Sequence, residues 1–295
     1  MGAGSTFSDV DCPFNRFAYA EGLAHVGRAA AHPSGRFVLL RRTIPGTQLE
    51  DGISPWPYLW ISDPGQIRSL QADFPDLVTV TVLCQPGYVP ARAECDAVLL
   101  KHHFVYDPRL PPPPLSPRAR ARLDACARHA VFEEVTADED RLAICALYGA
   151  LKAARHLTGL FDMDARHFRA VAGLKESRFF RVRSGDAIGA MACGVVFGDG
   201  LQILHTVPTA EGLRWNASYL LMHGLQDFAR AHGVRLLIGG LPASARPGLK
   251  VFKSRWVNAT APVHMIRVVN DRQAYARLSA GAAESAYFPA YRRPA

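Results

Sequence analysis

Acidic residues are in short supply. There are 26 Asp and Glu against 34 Lys and Arg, a formal charge of +8. That balance suits polyanionic partners such as nucleic acid, nucleotide cofactors or anionic lipid. Cysteine is also sparse: Cys12, Cys84, Cys95, Cys126, Cys145 and Cys193 are scattered along the chain. No Cys-x-x-Cys occurs, and no Cys/His cluster has zinc-finger spacing, so reduced and mostly buried thiols are expected, with no metal. The longest apolar run, Ala187 to Phe197, is too short and glycine-rich to span a bilayer. With no membrane span and no signal peptide in view, the cytoplasm is the expected location. Glycine and proline show no collagen period, and heptads do not persist. Gly-x-Ser-x-Gly, a Gly-Lys-Ser/Thr phosphate loop and His-Glu-x-x-His are all absent, as is a Ser-His-Asp signature. What remains is a chain of 295 residues, 49% hydrophobic and 20% charged, which calls for a sizeable packed core.

The chain reads as two sections. Up to about Asp107 it offers strands at Arg36–Ile44, Leu77–Leu83 and Asp96–Tyr106, with a short helix at Pro64–Asp73. The run Arg109-Leu-Pro-Pro-Pro-Pro-Leu-Ser116 fits neither a helix nor a central strand. A boundary is placed there, giving domains 1–110 and 111–295. Ser116 then caps a helix with Pro117 in its first turn. A second helix spans Leu142–Thr158, with Leu142, Leu147, Leu151 and Ala154 on one stripe and Gly159 as its stop. A third covers Ala165–Leu174. Strands follow at Arg178–Arg183, Ile188–Phe197 and Leu201–Val207, joined by Ser-Gly-Asp and Gly-Asp-Gly turns. A helix from Trp215 to His232 leads to a strand at Val234–Ile238, a short helix through Val251–Trp256 and a strand at Val263–Val269. Strand-helix-strand crossovers require parallel or mixed pairing. The expected fold is α/β (α+β), a mixed sheet flanked by helices.

From Leu115 to Val269 the sequence resembles the FemAB-like branch of the GNAT acyltransferase fold. The resemblance is carried by Leu115-Ser-Pro-Arg-Ala-Arg-Ala-Arg-Leu123, the long helix ending at Gly233, Ile238-Gly-Gly240, and Gly248-Leu-Lys-Val-Phe-Lys253 before Trp256. It implies an acyltransferase with no tightly bound cofactor, taking aminoacyl-tRNA or acyl-CoA as co-substrate. The first section would be a degenerate second GNAT-like lobe. Ordinary GNAT enzymes hold the CoA pyrophosphate on an Arg/Gln-x-x-Gly-x-Gly/Ala loop. Here the loop is Glu211-Gly-Leu-Arg-Trp-Asn-Ala-Ser218: Arg214 is kept, but Ala217 and Tyr219 replace the glycines. A Cβ at those positions restricts close phosphate approach, which favours tRNA over CoA as donor.

Several residues follow as site candidates. The Lys253 ammonium could stabilise a developing oxyanion or hold a donor phosphate, against the plainer reading of a solvated helix lysine. Phe252 would pack beside it, and Trp256 would offer a flat wall for a base, unless both are core. Arg118 and Arg122 share a helix face suited to phosphate, or only to solvent. His205, near the end of a meander strand, could act as general base or be an ordinary buried histidine. Asn216 and Tyr219 open the next helix and could bind phosphate or protonate a leaving group, though Asn216 also suits a plain N-cap. His102 and His103 are adjacent in a strand and point to opposite faces, so they do not pair as ligands. The leading expectation is transfer of an acyl or aminoacyl group to an amine on a small molecule or peptide. An acyl-CoA N-acyltransferase and a non-catalytic RNA- or anion-binding module are the competing expectations.

Overall fold

The computed structural model describes residues 11–63, 65–91, 95–241, 247–281 and 287–293. The chain divides into two compact units: Met1–Lys101 with Pro262–Ala295, and His102–Ala261. The first unit opens with helix α1 (Phe17–Glu21), then strands β1 (Arg28–Ala31), β2 (Val38–Thr43) and β3 (Glu50–Ile53), helix α2 (Gly65–Asp73) and strand β4 (Leu77–Leu83). β1, β2 and β3 pair antiparallel, and β4 runs parallel to β3. The β-branched run Leu77–Val82 is buried on both faces, as a central strand should be. Phe37, Leu39, Ile67, Leu70 and Phe74 gather around it in the core.

Strand β5 (Asp96–Tyr106) carries the chain from the first unit into the second. The elements that follow are α3 (Pro117–Ala127), β6 (Val131–Val135), α4 (Asp138–Arg155), α5 (Ala165–Ala172), β7 (Ser177–Ser184), β8 (Ala187–Phe197) and β9 (Gly200–Pro208). Then come α6 (Ala210–Arg214), α7 (Ala217–His232), β10 (Arg235–Leu237) and α8 (Pro247–Ser254). The strand order in this unit is β5-β10-β9-β8-β7-β6. All neighbours are antiparallel except β9 and β10, which the α7 crossover makes parallel. Glycines at φ 55 (Gly185) and φ 61 (Gly198) make the two hairpin turns. Helices cover both faces. Phe180 meets Phe228 of α7, whereas its neighbour Phe179 lies under Arg141 of α4. Ser116 caps α3 as expected, accepting from the Ala119 amide at 3.3 Å.

α4 departs from the expected pattern. Its buried residues are Ile144 and Tyr148, one turn apart, and Leu142 is exposed. The helix stops at His156, whose φ of 51° turns the chain before Gly159 is reached.

Strand β11 (Ala259–Val269) returns the chain to the first unit, pairing antiparallel with β4, and helix α9 (Arg272–Leu278) follows. The expected division at the proline run differs from this arrangement in two ways. The crossings fall inside β5 and β11, and the C-terminal segment joins the first unit. The prolines are instead tied within the second unit, where the Asn258 amide donates to the carbonyls of Asp107 (2.9 Å) and Pro111 (3.0 Å). The C-terminal segment is anchored by Asp51, fully buried, whose carboxylate takes Arg42 at 2.8 Å and Arg292 at 2.5 Å. Paired and hydrogen-bonded, that charge is tolerated in a dry interior. No helix among the described residues is long and apolar enough to cross a membrane.

Candidate functional site

In the second unit, two neighbouring strands part. β10 pairs with β9 only from Gly200 to Gln202, yet β9 runs on to Pro208 with β8 alone as partner. Parting leaves backbone carbonyls without their ladder bonds, and side chains take over. The buried Gln202 amide donates to the carbonyls of Ile203 at 2.8 Å and Leu237 at 3.2 Å. Lys253, in the last turn of α8, donates to the carbonyls of Ile238 at 2.8 Å and Gly240 at 3.3 Å. The ammonium thus pins the strand end where Gly239 turns at φ 74.

A cavity of about 570 Å³ opens beside the free stretch of β9. Thr206 and Pro208 of β9, the first turns of α7 and the end of α4 wall it, with Leu249 and Phe252 of α8 closing one side. Its lining is mostly apolar, and its size is that of a small-molecule pocket. Asn216 and Ser218 bring the amino end of α7 to it. Asn216 takes the N-cap place at φ 65, a left-handed conformation, and its side chain makes no capping bond. The plain N-cap reading therefore does not hold: a capping side chain comes from an extended backbone and accepts from a first-turn amide, and Asn216 does neither.

Tyr219 lies between this cavity and two cations. Its hydroxyl accepts from Arg122 Nη1 at 2.8 Å and from Arg255 Nη1 at 2.9 Å. Both guanidinium carbons also sit over its ring, at 5.6 and 5.5 Å from the centroid. Phe252 meets the Tyr219 ring edge-on at 5.7 Å. Sequence reasoning reached Tyr219, Phe252, Asn216 and Arg122: the first three line the cavity and Arg122 reaches it through the Tyr219 hydroxyl, whereas Lys253, next to Phe252 on α8, is not among the lining residues. The same reasoning missed Arg255 and Gln202. Arg255 had a signal, since it lies two residues past Lys253 in a segment already singled out.

No protein-family model matches the chain, and no curated protein matches it. Solved structures do. FemX aligns over 90% of this chain and 94% of its own, with a TM-score of 0.63 at 11% identity. The chain has the fold of FemX. The C-terminal domain of a protein described as a lysylphosphatidylglycerol synthetase, from Agrobacterium fabrum, aligns over 93% of both chains (TM-score 0.58, 15% identity). L-PGS from Bacillus licheniformis aligns over 85% of this chain and 88% of its own (TM-score 0.58, 13% identity). This is the GNAT-like mixed sheet flanked by helices that the sequence resemblance implies.

Within this FemX-type fold, other candidates lie away from the cavity. His205 is buried, with its Nε2 2.9 Å from that of His167 and its ring against Tyr148 and Phe168. Burial, and then the neighbouring His167, hold its pKa well below the usual histidine range. Its neighbour Thr206 lines the cavity instead. Trp256 is fully buried in the core beneath α7, so its ring is packing and not a wall for a base. Arg214 and Arg118 are exposed and are not among the residues lining the cavity. Burial pushes the Cys84 and Cys193 thiols up to about 12, so neither is poised as a nucleophile. Among the described residues, no group of three or more His, Cys, Asp or Glu is placed to hold a metal ion.

Proposed function

We propose that this chain is an acyltransferase that moves an acyl group, aminoacyl by preference, from an activated ester or thioester to an amine. The observation that carries the reading is the apolar cavity beside the end of β9 that β10 does not reach, bordered by Tyr219 between two guanidiniums. The FemX-type fold supports it.

In the proposed reaction the acyl group lies against Leu221, Met222 and Phe252. The amine nitrogen attacks the acyl carbon, and the carbonyl electrons move onto oxygen. Collapse forms the amide and breaks the bond to the donor, a 3′-oxygen in an aminoacyl-tRNA. The proton lost by the nitrogen passes to that leaving oxygen. Apolar walls and held geometry lower the barrier by positioning, and nearby cationic groups favour the oxyanion. Tyr219 borders the acyl group. Lys253 acts by fixing the strand end and by its charge. His205 takes no part in this scheme, because its ring packs against Tyr148, Phe168 and His167.

Aminoacyl-tRNA is the preferred donor for two reasons. The formal charge of +8 suits a polyanion. Ala217 and Tyr219 also put side chains where a CoA-binding loop would carry glycines. The test incubates the protein with charged tRNA, or with acyl-CoA, and a panel of amines. Transfer from charged tRNA is expected. Turnover with acyl-CoA alone would assign the donor to CoA, and salt-sensitive RNA binding without transfer from either donor would make the chain a binding module.

A further inference from the structure

Arg122 of α3 and Arg255, just past α8, converge on one neutral oxygen. Elsewhere in the protein, converging arginines share a carboxylate. Arg42 and Arg292 meet on Asp51, and Arg181 and Arg183 meet on Glu133. Arg28 and Arg41 both reach Glu50. Arg122 and Arg255 have no such partner among the described residues: both meet the Tyr219 hydroxyl and ring instead. Both are half-buried, which weakens solvent screening of their mutual repulsion. A phenol accepts their hydrogen bonds but carries no charge to offset them.

The surroundings extend the positive charge. Arg255 also lines a second hollow, of about 420 Å³, together with Ser116, Lys250 and Ser254. Among the described residues none of those lining it is acidic, and it joins the start of α3 to α8. Tyr219 faces the apolar cavity, so Arg255 stands between an apolar space and a cationic one.

We infer that Arg122 and Arg255, with Lys250 beside them, form a seat for a phosphate group at the rim of the apolar cavity. Two guanidiniums match the several acceptor oxygens and the charge of a phosphate ester, which water or a neutral ligand would leave unbalanced. On the acyl-transfer reading, which this inference deepens, the phosphate belongs to the donor, and the group it carries reaches into the cavity. The chemistry is shared by the phosphodiester of a tRNA acceptor end and by the pyrophosphate of CoA.

The test measures binding without an acceptor and without turnover, on the full chain at low salt. One arm uses a labelled RNA hairpin ending in CCA, the other desulfo-CoA, and the arm that binds identifies the source. R255Q and R122Q are expected to weaken binding about tenfold each, the loss of one hydrogen bond to a charged group. R255Q should also lower the slope of log Kd against log salt by about one on the RNA arm. The control is R120Q, which removes the same charge from an exposed position on α3 and should cost about twofold or less. If R120Q weakens binding as much as R255Q, the effect is general surface charge and the seat is overturned. Binding of neither ligand by the wild type overturns it as well. Should R122Q fail to fold, R255Q and R255K decide the matter, since Arg255 lies past the last residue of α8 and its replacement leaves every helix sequence intact. A protein that binds as expected but transfers nothing keeps the seat and loses the acyl-transfer reading. A protein that transfers with an unchanged KM in R255Q keeps the reaction and loses the seat.

Discussion

His167 and His205 meet Nε2 to Nε2 at 2.9 Å in a buried site. One ring must donate and the other accept, so the pair cannot hold two imidazolium ions. The His205 pKa lies well below its ordinary value because burial and His167 both oppose its charge. Above the unfolded histidine value, near 6.5, both states are neutral and the stability is fully present. As pH falls below it, the unfolded chain takes up a proton that the folded chain refuses. Stability is then lost by up to about 1.4 kcal/mol per pH unit until the folded pKa is reached. The wild-type melting temperature should therefore fall more steeply from pH 7 to pH 5 than that of H205Q, and equal slopes would contradict this. H205Q, where folded, should also keep transfer activity within about threefold, because a true general base would cost about a hundredfold or more.

Lys253 satisfies two carbonyls where the sheet parts. K253M should cost about 1–3 kcal/mol in urea denaturation, the expense of leaving buried acceptors unpaired. Its larger effect should be on turnover. We expect kcat to drop by about a hundredfold while the Kd for RNA stays within about twofold, since the residue acts on geometry and local charge. Unchanged turnover in K253M would remove Lys253 from the account.

Gly212 in α6 permits a close approach to β8. A Cβ there would lie 1.9 Å from the Gly189 carbonyl oxygen, which is backbone and cannot swing aside. G212A should destabilise the fold by about 1–3 kcal/mol. A denaturation midpoint equal to that of the wild type would show that α6 moves more freely than this packing allows.

Much of this was legible in the sequence, and the failures are instructive. β4 and β5 were read to the residue because β-branched runs between turn signals have few alternatives. β1, with three alanines, and β6, with two glutamates, were missed because sheet neighbours rather than propensity make them strands. The stripe on α4 was misplaced because Leu142 and Ala154 are exposed and Leu147 is only half-buried, whereas the buried face belongs to Ile144 and Tyr148. The proline run was taken for a domain boundary because a stiff connector looks the same whether or not it links two domains. At the site, Lys253 was found by motif, but its attachment to the carbonyls of Ile238 and Gly240 depends on where the strands part. The meeting of Arg122 and Arg255 on Tyr219 joins positions 97 and 36 residues from it in sequence, and no local pattern encodes that.

Ser218 lines the apolar cavity at the first turn of α7. S218W should fill part of the space without touching the two arginines. Transfer should drop by more than about tenfold through lost positioning, while RNA binding persists. Equal loss of binding and transfer would mean that the cavity and the cationic hollow are not separate parts of one site.

The central claim is that an acyl group passes to an amine beside Tyr219. The most direct measurement is a single-turnover assay with charged tRNA, excess protein and an amine panel, with acyl-CoA run in parallel. The account predicts a new amide formed in equal amount with deacylated tRNA, slowed in K253M and nearly abolished in S218W. Amide formation from neither donor with any amine, by protein that is folded and binds RNA, would contradict it.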